Sequence, residues 1–451
     1  MSLRMRVSLV PVLLAVVLLL PHAAAAAETA CPAQPQWFTG VPSLPAFEPR
    51  SSCQFQQWAW QSFLALLETD RSQPTARYFN WALPNPTMTD LFCNRFCGIA
   101  NQKPRNPCGG PATQEVVNAT TQPGFVRANT SGELIDQAGE PVYFTAHVNP
   151  RWVDFVTRNQ FYDPEVQGDA DPRTAFPAGA FEIKSSWRLA RKMSPAEKAQ
   201  YYTTEACVVP EHPAAGEPKQ FVAEIALVGF HITGGVQNHP ELVWATFEHV
   251  RNAPDCQSTP QAGPWAFYDG TTDCRRGRPA PCNRPNPAAG PANPINVCRQ
   301  YPHGGASSQI GREIAALNRD VQNHLPRDSK WRFYELVGTV WASDPSPEGV
   351  PTVNLQDPAG SPLLANTTLE TFKQNVSCFG CHSSQFPGEF ASLAGSSPVV
   401  NQAKTLFVSH VVLFPFFFEA DTRGGKTGCA NTCTSPPALT PGTLPAHVPF
   451  Q

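Results

Sequence analysis

Five consecutive residues carry the most specific chemistry in this chain: Cys378-Phe379-Gly380-Cys381-His382. Two thiols at this spacing can add across the vinyl groups of one porphyrin edge, and the adjacent histidine can reach the iron from one face. With 14 Cys and 11 His in 451 residues, composition alone expects the pattern roughly 0.01 times. Competing chemistries are an ordinary disulfide, a thiol redox pair or half of a zinc site. Zinc would want further Cys/His pairs at short spacing, and the other cysteines sit mostly in loops. The expectation is one covalent haem c on Cys378 and Cys381, with His382 as proximal iron ligand.

The second axial ligand separates a carrier from a catalyst. Small soluble electron carriers of this type commonly supply a methionine downstream of the motif. Here Met1, Met5, Met88 and Met193 all lie upstream. Downstream histidines are His410, in the apolar run Phe407-Val408-Ser409-His410-Val411-Val412, and His447 in a proline-rich tail. His410 is the candidate distal ligand; its other reading is a core or edge histidine of a strand. If neither binds, the iron takes an upstream residue such as Met193 or His231, or stays open to water and substrate.

A second block with ionisable groups runs from Phe221 to Cys256. Two expected strands, Phe221–Ile232 and Leu242–Val250, flank a Gly234-Gly235 loop. Strand alternation puts His249 with Val243, Ala245 and Phe247, and Glu248 with Trp244 and Val250. A buried His or Glu among aromatics is expensive without a partner, so His231, Glu248 and His249 are candidate acid–base residues. The plain alternative is that one of these faces is solvated.

These chemical residues need elements to hold them. Residues 53–69 read as an apolar helix, with Phe55, Trp58, Phe63 and Leu66 at three- and four-residue steps. Tyr143–Val148 and Phe181–Leu189 read as further strands. Ser194-Pro195-Ala196-Glu197 opens a short helix with an N-cap serine. A helix is expected over 307–325, from Ile310, Ile314, Leu317 and Val321, then a strand over Trp331–Trp341. Thr367 and Glu370 read as a capping box for a helix through Val376 into the motif. Residues 254–302 hold ten prolines and four cysteines with almost no apolar periodicity. Two local disulfides would be enough to order so long a loop.

The first 27 residues read as a cleaved export signal: Arg4 and Arg6, an apolar run Val7–Leu20, and small residues Ala23–Ala27. That run is short for a membrane span, and Thr405–Phe418, the next most apolar run, is interrupted by His410 and Pro415. The mature chain is thus expected to have no integral membrane segment and to be periplasmic or secreted in a bacterium, where its cysteines oxidise. Net charge is −3, and losing Arg4 and Arg6 makes it more acidic, which argues against nucleic acid as a partner.

The fold class expected is α+β. A β-rich part with short helices and disulfide-stapled loops (28–345) precedes a small helical, cytochrome c-like haem segment with a proline-rich tail (346–451). Several pieces together resemble a family of large bacterial exported c-type cytochrome-related proteins. They are Gly229-Phe230-His231-Ile232, Trp244-Ala245-Thr246-Phe247-Glu248-His249-Val250, Glu182-Ile183-Lys184-Ser185-Ser186-Trp187-Arg188 and Asn366-Thr367-Thr368-Leu369-Glu370-Thr371. Trp60-Gln61-Ser62-Phe63-Leu64-Ala65-Leu66, with Trp81 shortly after, belongs with them, so the likeness covers about residues 53 to 385. It implies a long β-rich part before a single C-terminal C-x-x-C-H. The family often has a lysine shortly after G-x-H-I where this chain has Gly234-Gly235, so no role of that lysine carries over.

Three functions remain open on these residues. One is an electron-transfer haem protein that serves a redox partner protein or small molecule. Another is a haem oxidoreductase, peroxidase-like or acting on a small molecule, with an open distal side. The third is a haem-free secreted binding module stapled by disulfides. Length weighs against a bare electron shuttle, since only 69 residues follow the motif and most of the chain precedes it.

Overall fold

In the computed structural model the described residues are 31–67, 78, 108–109, 115–118, 132–159, 161, 174–210, 216, 218–275, 277, 281–287, 293–305, 308–343, 358–375 and 377–382. The expected export signal 1–27, His410, His447 and cysteines 93, 97, 429 and 433 lie outside them.

The helices are α1 (Ser52–Leu67), α2 (Pro150–Arg158), α3 (Pro195–Lys198), α4 (Ser308–His324) and α5 (Cys378–Cys381). The strands are β1 (Glu115–Asn118), β2 (Tyr143–Val148), β3 (Phe181–Leu189), β4 (Thr203–Val209), β5 (Phe221–Val236), β6 (His239–His249), β7 (Tyr334–Ala342) and β8 (Pro358–Gly360). They form one sheet in the order β3-β2-β1-β4-β5-β6-β7-β8, and β3 also pairs with β5. Strands β1 to β5 therefore close into a ring. β5 makes this possible by length: its first half pairs with β4, its second half pairs with β6, and β3 lies along its other edge. Every pairing is antiparallel except β1 with β4.

One face of the sheet is apolar. Phe181, Ile183, Phe230, Ile232, Val243, Ala245 and Phe247 pack there against α1 and α4. α1 is buried on nearly all sides, as expected for a helix rich in Trp, Phe and Leu around its whole circumference. Its first turn is capped by the Ser51 hydroxyl, which accepts from the Gln54 N–H at 3.3 Å. Asn318 of α4 binds both neighbours: its Oδ1 accepts from the Trp60 indole at 2.8 Å and from the Leu336 N–H at 3.1 Å. The predicted stripe Ile310, Ile314, Leu317 and Val321 faces this core.

The expected β-rich part with short helices is present, and among the described residues four disulfides staple it: Cys31–Cys53, Cys108–Cys207, Cys256–Cys298 and Cys274–Cys282. The last two lie within the proline-rich stretch 254–302. Among the described residues no helix is long and apolar enough to cross a membrane.

Some expectations are corrected. β5 does not end at Ile232 but runs through Gly234-Gly235 to Val236, because Gly235 exchanges backbone hydrogen bonds with Gly179 and Ala180. Trp331 belongs to a 3-10 turn, and the strand begins at Tyr334. Residues 367–375 form successive turns, not a helix. The expected capping box is displaced: Glu370 takes the Asn366 N–H in place of the Thr367 N–H, and the Thr367 N–H and hydroxyl go to Glu248.

Candidate haem-attachment site

The second face of the sheet is polar, and cross-strand register sets its layout. Directly opposite residues point the same way. One row runs Ser186, Gly229, Glu248, Glu335. A second runs Lys184, His231, Thr246, Gly338, and a third Glu182, Thr233, Trp244, Val340. So many buried polar groups in one plane need partners.

A strap of chain, residues 361–375, supplies many of them. The Thr367 N–H and hydroxyl donate to Glu248 at 2.7 and 2.6 Å. Asn366 donates its side-chain amide to Thr246 Oγ1 and the Phe247 carbonyl, both at 2.9 Å. The Thr368 and Ser186 hydroxyls lie 2.7 Å apart. Glu370 takes His231 Nε2 at 2.8 Å with one oxygen and the Asn366 N–H at 2.7 Å with the other. Burial alone would raise the Glu370 carboxyl. His231 beside it, the Asn366 N–H and the Lys184 ammonium hold it below its ordinary value instead.

Two glycines leave room for this strap. A Cβ on Gly229 would overlap Thr368, Ser186 and Asn366, and one on Gly338 would overlap Ser361 and Leu364. The groove is therefore cut to backbone depth. Arg299 closes it from the side, donating to Glu248 and Asp255 at 3.0 Å each. Gln374 ties the far end: it accepts from the Gln300 N–H and donates to the Cys298 carbonyl.

The strap delivers the C-x-x-C-H motif. α5 is a single turn, with the His382 N–H donating to the Cys378 carbonyl at 2.8 Å. His382 is buried, and its ring centroid lies 4.3 Å from that of Trp244, at 57° between planes. Cys378 is half-buried at the start of the turn, and Phe379 is fully buried.

Of the residues singled out in the sequence, this face brings Glu248 and His231 onto the strap and His382 against Trp244. It does not bring His249, which points into the apolar side. There its Nε2 faces the Gln200 carbonyl at 3.0 Å and its ring stacks on Tyr201 at 3.6 Å. Burial pushes its pKa down to about 3, so it is a neutral core histidine. Met193 packs in a separate apolar cluster with Phe144 and Tyr201. Sequence reasoning missed Arg299 and Ser186 as partners of the strap. Ser186 could have been found by alternation along β3, whereas nothing in the proline-rich stretch around Arg299 signals its role.

Set against protein-family models, curated proteins and solved structures, this chain matches none.

Proposed function

We propose that the chain is an exported monohaem c-type protein that works in electron transfer, with the β-sheet acting as a rigid platform for haem attachment. The observation that carries this reading is the C-x-x-C-H turn at the end of a strap clamped into a fitted polar groove. Two thiols and an imidazole within one helical turn are the donor set such a haem requires. In that reading Cys378 and Cys381 hold the porphyrin by thioether bonds and His382 binds the iron, which supplies one-electron chemistry. Trp244 restrains the His382 ring, and the strap fixes where the motif leaves the sheet. His410 stays the candidate for the opposite iron face. The four disulfides suit an oxidising compartment outside the cytoplasm.

The carrier reading is preferred to an oxidoreductase because the candidate acid–base groups are already engaged. Glu248 is saturated by Thr367 and Arg299, His231 is held by Glu370, and His249 belongs to the other face.

The test is the absorption spectrum of the exported protein made in a host with haem-attachment machinery. A haem spectrum that survives acid–acetone extraction, and is lost in Cys378→Ala/Cys381→Ala, is expected. A colourless, folded protein would reject haem and leave the disulfide-stapled module. A haem that binds CO and turns over peroxide would replace the carrier by the enzyme.

A further inference from the structure

The two disulfides of the 254–302 stretch are not merely close in sequence. The Sγ atoms of Cys274, Cys282 and Cys298 all lie within 4.8 Å of one another, in a buried cluster with Tyr268. Cys274 and Cys282 form one bond and Cys298 forms another with Cys256, so the sulfurs of two separate disulfides are in near contact. Sulfurs committed to disulfides do not serve a metal, but this distance suits thiol–disulfide exchange, which needs only a thiolate beside a disulfide sulfur.

Three further features favour exchange. Cys282 lines a cavity of about 420 Å³, together with Asn283, Gln300, Tyr301 and Gln374, and this is the side from which a small thiol would approach the pair. The Asn283 amide nitrogen lies 3.7 Å from Cys298 Sγ and also bonds the Cys298 carbonyl, holding that sulfur in place. The second disulfide staples the strap clamp: the Cys256 N–H donates to the Arg299 carbonyl, and Asp255 and Arg299 form an ion pair.

We infer that the two disulfides form an exchange relay, through which a dithiol entering at Cys282 opens the Cys256–Cys298 bond beside the strap clamp. The first external thiolate bonds to Cys282 Sγ, breaks the Cys274–Cys282 bond and releases Cys274 as a thiolate. Cys274 then attacks Cys298 Sγ, forming Cys274–Cys298 and releasing Cys256, which takes a proton. The second external thiol resolves the mixed disulfide, frees Cys282 and closes the external disulfide. The dithiol loses two electrons and two protons, and the protein gains two thiols at Cys256 and Cys282 while keeping one bond.

The relay does not depend on haem, and neither does its test. The exported full-length protein is treated with limiting dithiothreitol in native buffer, quenched in acid, alkylated and mapped by tandem mass spectrometry. The expected product has Cys256 and Cys282 alkylated and a new Cys274–Cys298 cross-link, with the native circular dichroism kept. In Cys256→Ser/Cys298→Ser the cross-link must vanish, leaving Cys274 and Cys282 alkylated together. Alkylated Cys274 and Cys282 beside an intact Cys256–Cys298 in the unsubstituted protein would overturn the relay. So would a cross-link that forms only in denaturant, or no reduction at any of the four cysteines.

Discussion

The two faces of the sheet solve the same burial problem by different means. On the apolar face, Phe63 stacks on Phe247 at 4.1 Å and meets Phe230 edge-on, and apart from the bonds of Asn318 the contact rests mainly on shape and area. On the polar face the strap is held by directed bonds to Glu248, His231, Thr246 and Ser186, in a groove where glycines remove every spare atom. Apolar packing is non-directional and tolerates sliding. Paired buried polar groups fix one register, since any shift leaves several unsatisfied at once. The difference teaches where position matters: the face that carries the C-x-x-C-H motif is the one with directed bonds.

Substitutions on each face can break this contrast. Phe63→Ala should give the largest loss, about 4 kcal/mol of global stability by denaturant unfolding, because it opens a cavity among fully buried rings. A loss under ~1 kcal/mol would mean the apolar face does not carry the fold. Glu248→Ala should cost about 3 kcal/mol, since it leaves two donors of Thr367 unpaired and takes one of two carboxylate partners from the buried Arg299. Hydrogen exchange supplies the sharper readout: the Thr367 amide should lose protection while the amides of α1 keep theirs. Equal loss at both would erase the distinction between the faces.

Gly229→Ala should cost roughly 2 kcal/mol, because the added carbon meets three polar atoms of the strap and its support. Proteolysis within 361–375 should rise in parallel; unchanged cleavage would show the groove to be looser than its geometry. The effect that is smallest per pH unit, though it accumulates over the acid range, belongs to the apolar side. His249 is neutral in the folded protein, with its pKa down at about 3 against an ordinary 6.5. The unfolded chain therefore binds an extra proton below about pH 6.5, and stability should fall by about 1.4 kcal/mol per unit as pH drops from there toward 3. Denaturation midpoints across that range should lose about this much slope in His249→Gln, and an unchanged slope would place the proton uptake elsewhere.

Much of the scaffold was legible because its signals are local. Runs of β-branched and aromatic residues bounded by Pro and Gly gave Tyr143–Val148 and Phe181–Leu189 to the residue, and helical spacing gave α4 within one residue. Strand alternation assigned Glu248 and His249 to opposite faces. Strands β1, β4 and β8 and helix α2 escaped notice, being short or flanked by breakers, with their partners far away in sequence.

The sequence by itself determined the chemistry available: a C-x-x-C-H motif, paired cysteines for a proline-rich loop, and a polar run just before the motif. Tertiary structure alone decided what those groups do to one another. His231 and Glu248 look like free acid–base residues in one dimension, yet 51 to 139 residues of chain separate them from the partners that occupy them. Two disulfides that read as independent staples have neighbouring sulfurs. Local periodicity follows from bond geometry within a few residues, whereas the partner of a buried polar group depends on which distant strands share an edge, and only the closed pairing of the sheet sets that.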